Sequence, residues 1–170
     1  FAWRRAMAGG ATTIDGAWIP GHVATHRSVA DTARLDRAAE LREVVSLHLA
    51  AGETDEACSA HELLVALDAS LCLCEREQIL IGRAHYEAGR TPQAATAFER
   101  FLAVYRGSTE APAVALLLGV IYARDLQRNE LADAVLTSAL DRLTDTARRE
   151  QCLHWLRHVR AALGRPTAEE

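Results

Sequence analysis

The sequence predicts an all-α fold organised as a repeat array, and three observations support this prediction. His48, His85 and Tyr122 lie 37 residues apart, each at the same place in a recurring local pattern. Apolar residues make up 49% of the 170-residue chain but aromatic residues only 5%, so the core is mainly Ala, Leu and Val, a mix that favours helices. Gly and Pro fall where such helices would begin and end. A fixed period in this range is typical of repeat proteins.

Three windows of the chain share a small or apolar residue before the recurring His or Tyr and apolar positions after it. The four matching positions of each window are Val45, Gly52, Ala57 and His61; Gly82, Gly89, Ala94 and Phe98; and Gly119, Leu126, Ala132 and Leu136. The third window has one extra residue between its two halves. The sequence therefore predicts three copies of one structural unit.

Capping signals predict the first three helices. Asp31 or Thr32 can cap a helix that runs through Ala51, and Gly52 ends it. Thr54 caps a second helix that extends to about residue 69. The third helix covers residues 75–88 and ends at a glycine.

Four more helices follow from the same kinds of signal. Thr91 caps the fourth helix with Pro92 at its first position, and this helix ends near residue 105. Pro112 opens the fifth helix, and the sixth covers residues 129–143. Thr144 or Asp145 caps a seventh helix, which ends near Gly164.

The first 30 residues differ from the rest of the chain. Glycines and Pro20 interrupt any longer helix there, which predicts an irregular N-terminal arm. This arm holds Trp3 and Trp18, two of the three tryptophans, and such apolar side chains are expected to dock on the chain's own body or on a partner. The predicted organisation is the arm over 1–30, a helical domain over 31–166 and a tail over 167–170.

Residues 38–143 resemble tetratricopeptide repeats. The second window carries the resemblance best, through Gly82, His85, Gly89, Ala94 and Phe98. The resemblance implies a superhelix of antiparallel helix pairs, in which small residues let helices approach closely. The period of 37 exceeds the usual 34, which indicates longer second helices or longer connections. The seventh helix, with one apolar stripe that includes Trp155, resembles the polar cap that such arrays need.

The resemblance also implies a binding surface, because the first helices of the pairs line the concave side of such arrays. The side chains carried over to this surface are Arg42, Ser46, Arg76, Ile79, Arg83, Tyr86, Leu116, Val120 and Arg124. Arginine binds carboxylates with two parallel hydrogen bonds, so we expect an acidic segment or a chain terminus in this groove. The alternative is that these arginines pair with nearby acids such as Glu43, Glu87 and Asp125.

Composition argues against several classes of function. The net charge is −4, whereas nucleic-acid-binding proteins usually carry a strong positive charge. No apolar run reaches the roughly 20 residues that a membrane-spanning helix needs. The chain has no lysine, which excludes Schiff-base and P-loop chemistry, and no nucleophile motif is present. The sequence predicts no catalytic residue, no cofactor and no metal site. His48 and His85 are expected to be buried packing residues.

The four cysteines, Cys58, Cys72, Cys74 and Cys152, show no disulfide spacing. Buried free thiols in a reducing compartment are therefore expected, with a cytoplasmic location favoured.

These observations predict a protein–protein interaction module that serves as a scaffold or adaptor, within a larger chain or complex. Its partner is expected to be a protein or peptide, and the predicted contacts are Arg42, Arg76, Arg83, Tyr86, Arg124, Trp3 and Trp18. The alternative is a structural subunit of a larger assembly, anchored through the arm.

Overall fold

The computed structural model describes residues 29–165, which form an all-helical array without strands. Seven α-helices follow one another along these residues: α1 Val29–Ala51, α2 Thr54–Leu67, α3 Glu75–Glu87, α4 Thr91–Val104, α5 Ala111–Val120, α6 Asn129–Leu140 and α7 Thr146–Ala162. The all-α prediction is confirmed. Trp3, Trp18 and the predicted tail lie outside the described residues.

The helices pack in consecutive pairs, α1 with α2, α3 with α4 and α5 with α6. Each pair also contacts the next, and α7 lies against α6 and α5. One apolar cluster joins the first two pairs around Leu64 and Ile81, and a second joins the last two pairs and α7 around Phe101 and Leu136. Because the core runs from pair to pair, packing between neighbouring pairs adds to the stability of each pair.

The predicted helix ends agree with the structure to within a few residues. Asp145 caps α7, since its carboxylate accepts a hydrogen bond from the backbone N–H of Arg148 at 2.7 Å. Thr54 and Thr91 are the first helical residues instead of caps. The sixth helix ends at Leu140 and not at residue 143.

The extra length of the repeat lies in the connections between pairs, residues 68–74 and 105–110, and not in longer second helices. Side chains hold the first of these connections in place. The guanidinium of Arg100 donates to the carbonyl of Leu71 at 2.7 Å, and the hydroxyl of Tyr105 donates to that of Leu73 at 2.7 Å. The fully buried Gln78 accepts from the N–H of Leu73 and donates to a carbonyl of α4.

The small residues of the repeat are required by close helix packing. A Cβ atom on Gly82 would lie 2.5 Å from the ring of Phe98, and a Cβ atom on Gly119 would lie 2.5 Å from Leu136. Both distances are far shorter than the contacts of real Cβ atoms. Glycine at these two positions therefore lets the helices of each pair approach closely, as expected.

The extra residue of the third window is accommodated by a π-helical turn, Ile121–Asp125, that directly continues α5. In the second pair, the N–H of Arg90 donates to the carbonyl of His85 at 2.8 Å, five residues back. In the third pair, the N–H of Arg128 donates to the carbonyl of Tyr122 at 2.8 Å, six residues back. A π turn takes in one additional residue per turn, so the pair closes at the same place.

The turn after this π segment places Gln127 in the left-handed backbone region at φ 53°, where Gly52 and Gly89 stand in the first two pairs. The expected match to these glycines, Leu126, is therefore one residue too early, and its own φ is −104°. A residue with a Cβ atom is disfavoured there by about 1–2 kcal/mol. We expect Gln127→Gly to raise the free energy of unfolding by about 0.5–1 kcal/mol, after subtraction of the entropy that glycine adds to the unfolded chain. Urea denaturation measures the change.

Gln93→Gly provides the matched control, because Gln93 is exposed within helix α4 and gains nothing from glycine. The control variant is expected to lose stability. If Gln127→Gly also lowered the free energy of unfolding, the left-handed geometry of Gln127 would carry no strain.

Two histidines of the repeat behave differently. His85 is fully buried, as expected. His48 is partly exposed and its Nδ1 lies 2.6 Å from the carboxylate of Glu53, so the expected burial is wrong for this residue. His48 belongs to the first pair, and no preceding pair covers it among the described residues.

Candidate functional site

The predicted binding surface is centred on α3. Arg76, Leu80 and Arg83 stand at intervals of four and three residues, which places them along one face of the helix. All three are exposed, and neither guanidinium forms a side-chain hydrogen bond or ion pair with the described residues. Glu87, one turn beyond Arg83, forms no ion pair with it. The two guanidiniums are therefore available, with an apolar side chain between them.

The first pair contributes an arginine that already has a structural partner. The Nε of Arg42 donates to the carbonyl of Cys72 at 3.2 Å, which ties α1 to the connection before α3. One turn further, the hydroxyl of Ser46 donates to the half-buried carboxylate of Glu77 at 2.6 Å. Arg42 and Ser46 thus help to position α3 against α1, and the binding role of Arg42 stays a prediction.

The third pair contributes Arg124 through a small cluster that it forms with Tyr86. The hydroxyl of Tyr86 donates to Asp125 at 2.9 Å, and Arg124 donates to the same carboxylate at 3.0 and 3.3 Å. The guanidinium carbon of Arg124 lies 5.9 Å from the centre of the Tyr86 ring, within reach of a cation–π interaction. The cluster links the second and third pairs. An acidic ligand would have to compete with Asp125 for this arginine.

Two residues carried over to the surface are not available for binding. Leu116 and Val120 are buried in the core formed by the last two pairs and α7. Their assignment to a ligand-contacting face is wrong, because α7 packs against α5 in addition to α6. The exposed part of the predicted surface therefore runs from α3 to Arg124.

The structure brings Tyr86 and Arg124 together and aligns Arg76 with Arg83. The alternative prediction, that these arginines pair with nearby acids of the same chain, is correct for Arg124 and Asp125. It is not correct for Arg76 or Arg83. Glu77 and Leu80 also belong to this surface but were not among the predicted residues. Glu77 meets Ser46 from 31 positions away, so no local pattern joins them, whereas the spacing of Leu80 between the two arginines could have identified it.

A second notable feature lies between α2 and α3, where His61 and His85 form a buried pair. Nδ1 of His61 and Nε2 of His85 are 3.2 Å apart, a hydrogen bond between the two rings. Nδ1 of His85 has no hydrogen-bond partner and lies 3.9 Å from the Glu62 carboxylate. Burial lowers the pKa of His61 to about 4 and, with a contribution from nearby Arg90, also lowers the pKa of His85. Both rings are therefore neutral near pH 7, and the contact with Glu62 is not an ion pair.

The corresponding contact between the second and third pairs is formed by different residues. There, Phe98 and Tyr122 take the places of His61 and His85, and the Tyr122 hydroxyl donates to Glu99, which corresponds to Glu62. A cleft of about 390 Å³ lies beside the two histidines. Because the pair repeats a packing position, we interpret it as part of the inter-pair core.

No group of three or more His, Cys, Asp or Glu side chains is placed to hold a metal ion within residues 29–165. No helix in this part of the chain is both long enough and apolar enough to cross a membrane. Its four cysteines are free thiols, of which Cys58 and Cys152 are buried and Cys74 is exposed.

Comparison with known proteins identifies one segment of the chain. Residues 78–108, from α3 to just beyond α4, match the family described as tetratricopeptide repeat. A search of curated proteins gave no significant match. The matched segment contains Gly82 and Phe98, whose close contact explains the small residue of the repeat. The suspected resemblance is thus supported over the second helix pair, α3 and α4, which lies within an all-helical array of consecutive pairs.

Proposed function

We propose that this chain is a protein–protein interaction module that binds an acidic segment of another protein along the exposed face of α3. The tetratricopeptide repeat supports the general role, because this family is generally a non-catalytic protein-interaction fold. The acidic partner is our inference from the side chains of the surface.

The observation that carries the proposal is the unpaired state of Arg76 and Arg83. Most surface arginines of the described chain have a partner: Arg34 contacts Asp68, Arg90 contacts Asp55 and Arg160 contacts Asp133. Two neighbouring guanidiniums without acids attract carboxylates, and Arg binds a carboxylate through two parallel hydrogen bonds.

The apolar surface between the two arginines adds a second requirement for the ligand. Leu80 is exposed between them, and the half-buried side chains of Ile79 and Tyr86 border the same face. A ligand with acids spaced around an apolar side chain would satisfy both the charges and this surface. We therefore propose a short extended or helical peptide with alternating acidic and apolar residues.

The test uses two fluorescein-labelled ten-residue peptides and fluorescence anisotropy. One peptide alternates Glu and Asp with Leu, and the other carries Gln and Asn in place of the acids. We expect binding of the acidic peptide only, with weaker binding as salt rises, since salt screens exposed charges. Arg83→Glu should lower the affinity for the acidic peptide by about tenfold or more, which corresponds to the loss of one charge-assisted hydrogen bond.

Arg157→Glu is the matched control for this experiment. Arg157 is equally exposed on α7 and donates only to a carbonyl of its own helix. Its reversal changes the net charge by the same amount and should leave the affinity nearly unchanged. Equal binding of both peptides, or equal effects of both reversals, would contradict the proposal.

A further inference from the structure

The outer face of α1 is a repeat interface that no helix pair covers among residues 29–165. Val44 and Leu47 correspond to Ile81 and Ala84 of α3, one period later. Val44 is 38% exposed and Leu47 62%, whereas Ile81 is 0% exposed and Ala84 7%. The same two positions in the third pair, Leu118 and Ile121, are 1% and 0% exposed.

The difference comes from position in the array and not from residue type. In the second and third pairs the preceding pair packs against these positions, since α1 contacts α3 and α4 contacts α5. No pair precedes α1 among residues 29–165. Two large apolar side chains are thus in solvent at sites that the repeat otherwise buries.

The same side of α1 carries unpaired negative charge. Asp36 and Glu43 stand seven residues apart, with Leu47 four residues beyond Glu43, so the three share a face. Neither carboxylate forms an ion pair with the described residues. A segment that covers this face should therefore be both apolar and basic.

We propose that residues 1–28 of this chain cover the outer face of α1, with Trp18 against Val44 and Leu47. The segment has the required chemistry. It carries the apolar side chains Trp3, Ile14, Trp18, Ile19 and Val23, and its charged residues are three arginines, Arg4, Arg5 and Arg27, against one acid, Asp15. The segment would take the place of a preceding helix pair and close this end of the array.

The connection to α1 permits this position. Val44 lies 15 residues after the start of α1, which is about 22 Å along the helix axis at a rise of about 1.5 Å per residue. Trp18 precedes Val29 by 11 residues, which span up to about 36 Å when extended. Trp18 can therefore reach Val44 with length to spare for a turn.

The test measures the accessibility of Trp18 in the full chain. Trp3→Phe and Trp155→Phe leave Trp18 as the only tryptophan, and acrylamide quenching reports how well its ring is shielded. We expect strong shielding, and we expect Leu47→Glu to remove it, so that quenching rises to that of free N-acetyltryptophanamide. Leu47 is on the surface of the array, so circular dichroism should show unchanged helix content in this variant.

Leu131→Glu is the matched control, because Leu131 is 46% exposed on α6, at a distance along the array from α1. This variant should leave Trp18 shielded. Full quenching of Trp18 in the parent chain, or shielding that Leu47→Glu leaves intact, would overturn the proposal. A dimer in sedimentation that Leu47→Glu dissociates would instead assign the face to a second copy of the chain.

Discussion

Replacement of Gly82 by Ala is expected to lower the free energy of unfolding by about 1–3 kcal/mol, although Ala is the better helix former. The added methyl group would lie 2.5 Å from the ring of Phe98, which is itself fully buried. The ring cannot move outward without displacing its neighbours in the core, so the two helices must separate. Urea denaturation followed by circular dichroism measures the loss.

Gly107→Ala is the control for this prediction. A Cβ atom on Gly107 would have no neighbour within 4 Å, and its backbone is not left-handed. This substitution should be neutral or slightly stabilising, since Ala reduces the entropy of the unfolded chain. If Gly82→Ala were equally neutral, the close approach of α3 and α4 would not be a determinant of the fold.

Acidification from pH 7 to pH 4 is expected to lower the free energy of unfolding by about 3 kcal/mol through His61 alone. Burial lowers the pKa of His61 to about 4, from 6.5 for an unperturbed histidine. The unfolded chain therefore binds a proton near pH 6.5 that the folded chain does not bind until about pH 4. The contribution to stability is complete above pH 6.5, is lost progressively as the pH falls to about 4, and changes little below that.

The charged and titratable neighbours act in the same direction, with one exception. His85 and Arg100 disfavour a positive charge on His61, and Arg90 disfavours one on His85. Only Glu62 favours protonation of His85, and its carboxylate is too far away to form a hydrogen bond. His85 should therefore add to the pH dependence in the same range.

Two variants isolate the contribution of His61. His61→Leu, which introduces the residue found at this position in the third pair, should reduce the fall in the urea midpoint between pH 7 and pH 4 and leave the part that His85 contributes. His158→Gln removes an exposed histidine of α7 and is the comparison variant for the loss of one histidine. If the parent chain were equally stable at both pH values, the two buried rings could not both be neutral.

The features that the sequence predicted well are those with a local physical cause. The 37-residue period, the turn glycines and the proline at the start of α4 each restrict the backbone directly. They therefore placed all seven helices and the close contact at Gly82. The match of residues 78–108 falls on the window in which these signals are strongest.

The features that were missed depend on packing between distant residues. The extra residue of the third window was visible in the sequence. Either a longer loop or a π turn could accommodate it, and only the structure shows that it lies in the π turn after Val120. The exposure of His48 follows from its place at the end of the described array. Leu116 and Val120 have the spacing of surface positions, yet α7 and the neighbouring helices bury them.

The partners of the arginines in the candidate site also depend on distant residues. Type and spacing predicted which arginines lie on the first helices, but not which of them have partners. Arg42 donates to a carbonyl 30 residues away, and Arg124 shares Asp125 with a tyrosine of another pair. Only the three-dimensional structure separates these two from Arg76 and Arg83, which have no partner among the described residues.

Site-specific photo-crosslinking in the source cells tests the central claim most directly. A photoreactive amino acid would replace Leu80 on α3 or, for comparison, Leu153 on α7, which is similarly exposed. Mass spectrometry would then identify the captured peptides. We predict that Leu80 captures a segment rich in Asp and Glu, that Leu153 does not, and that Arg83→Glu abolishes the capture. Capture at Leu153 alone, or of segments without acidic residues at Leu80, would contradict the proposed binding surface.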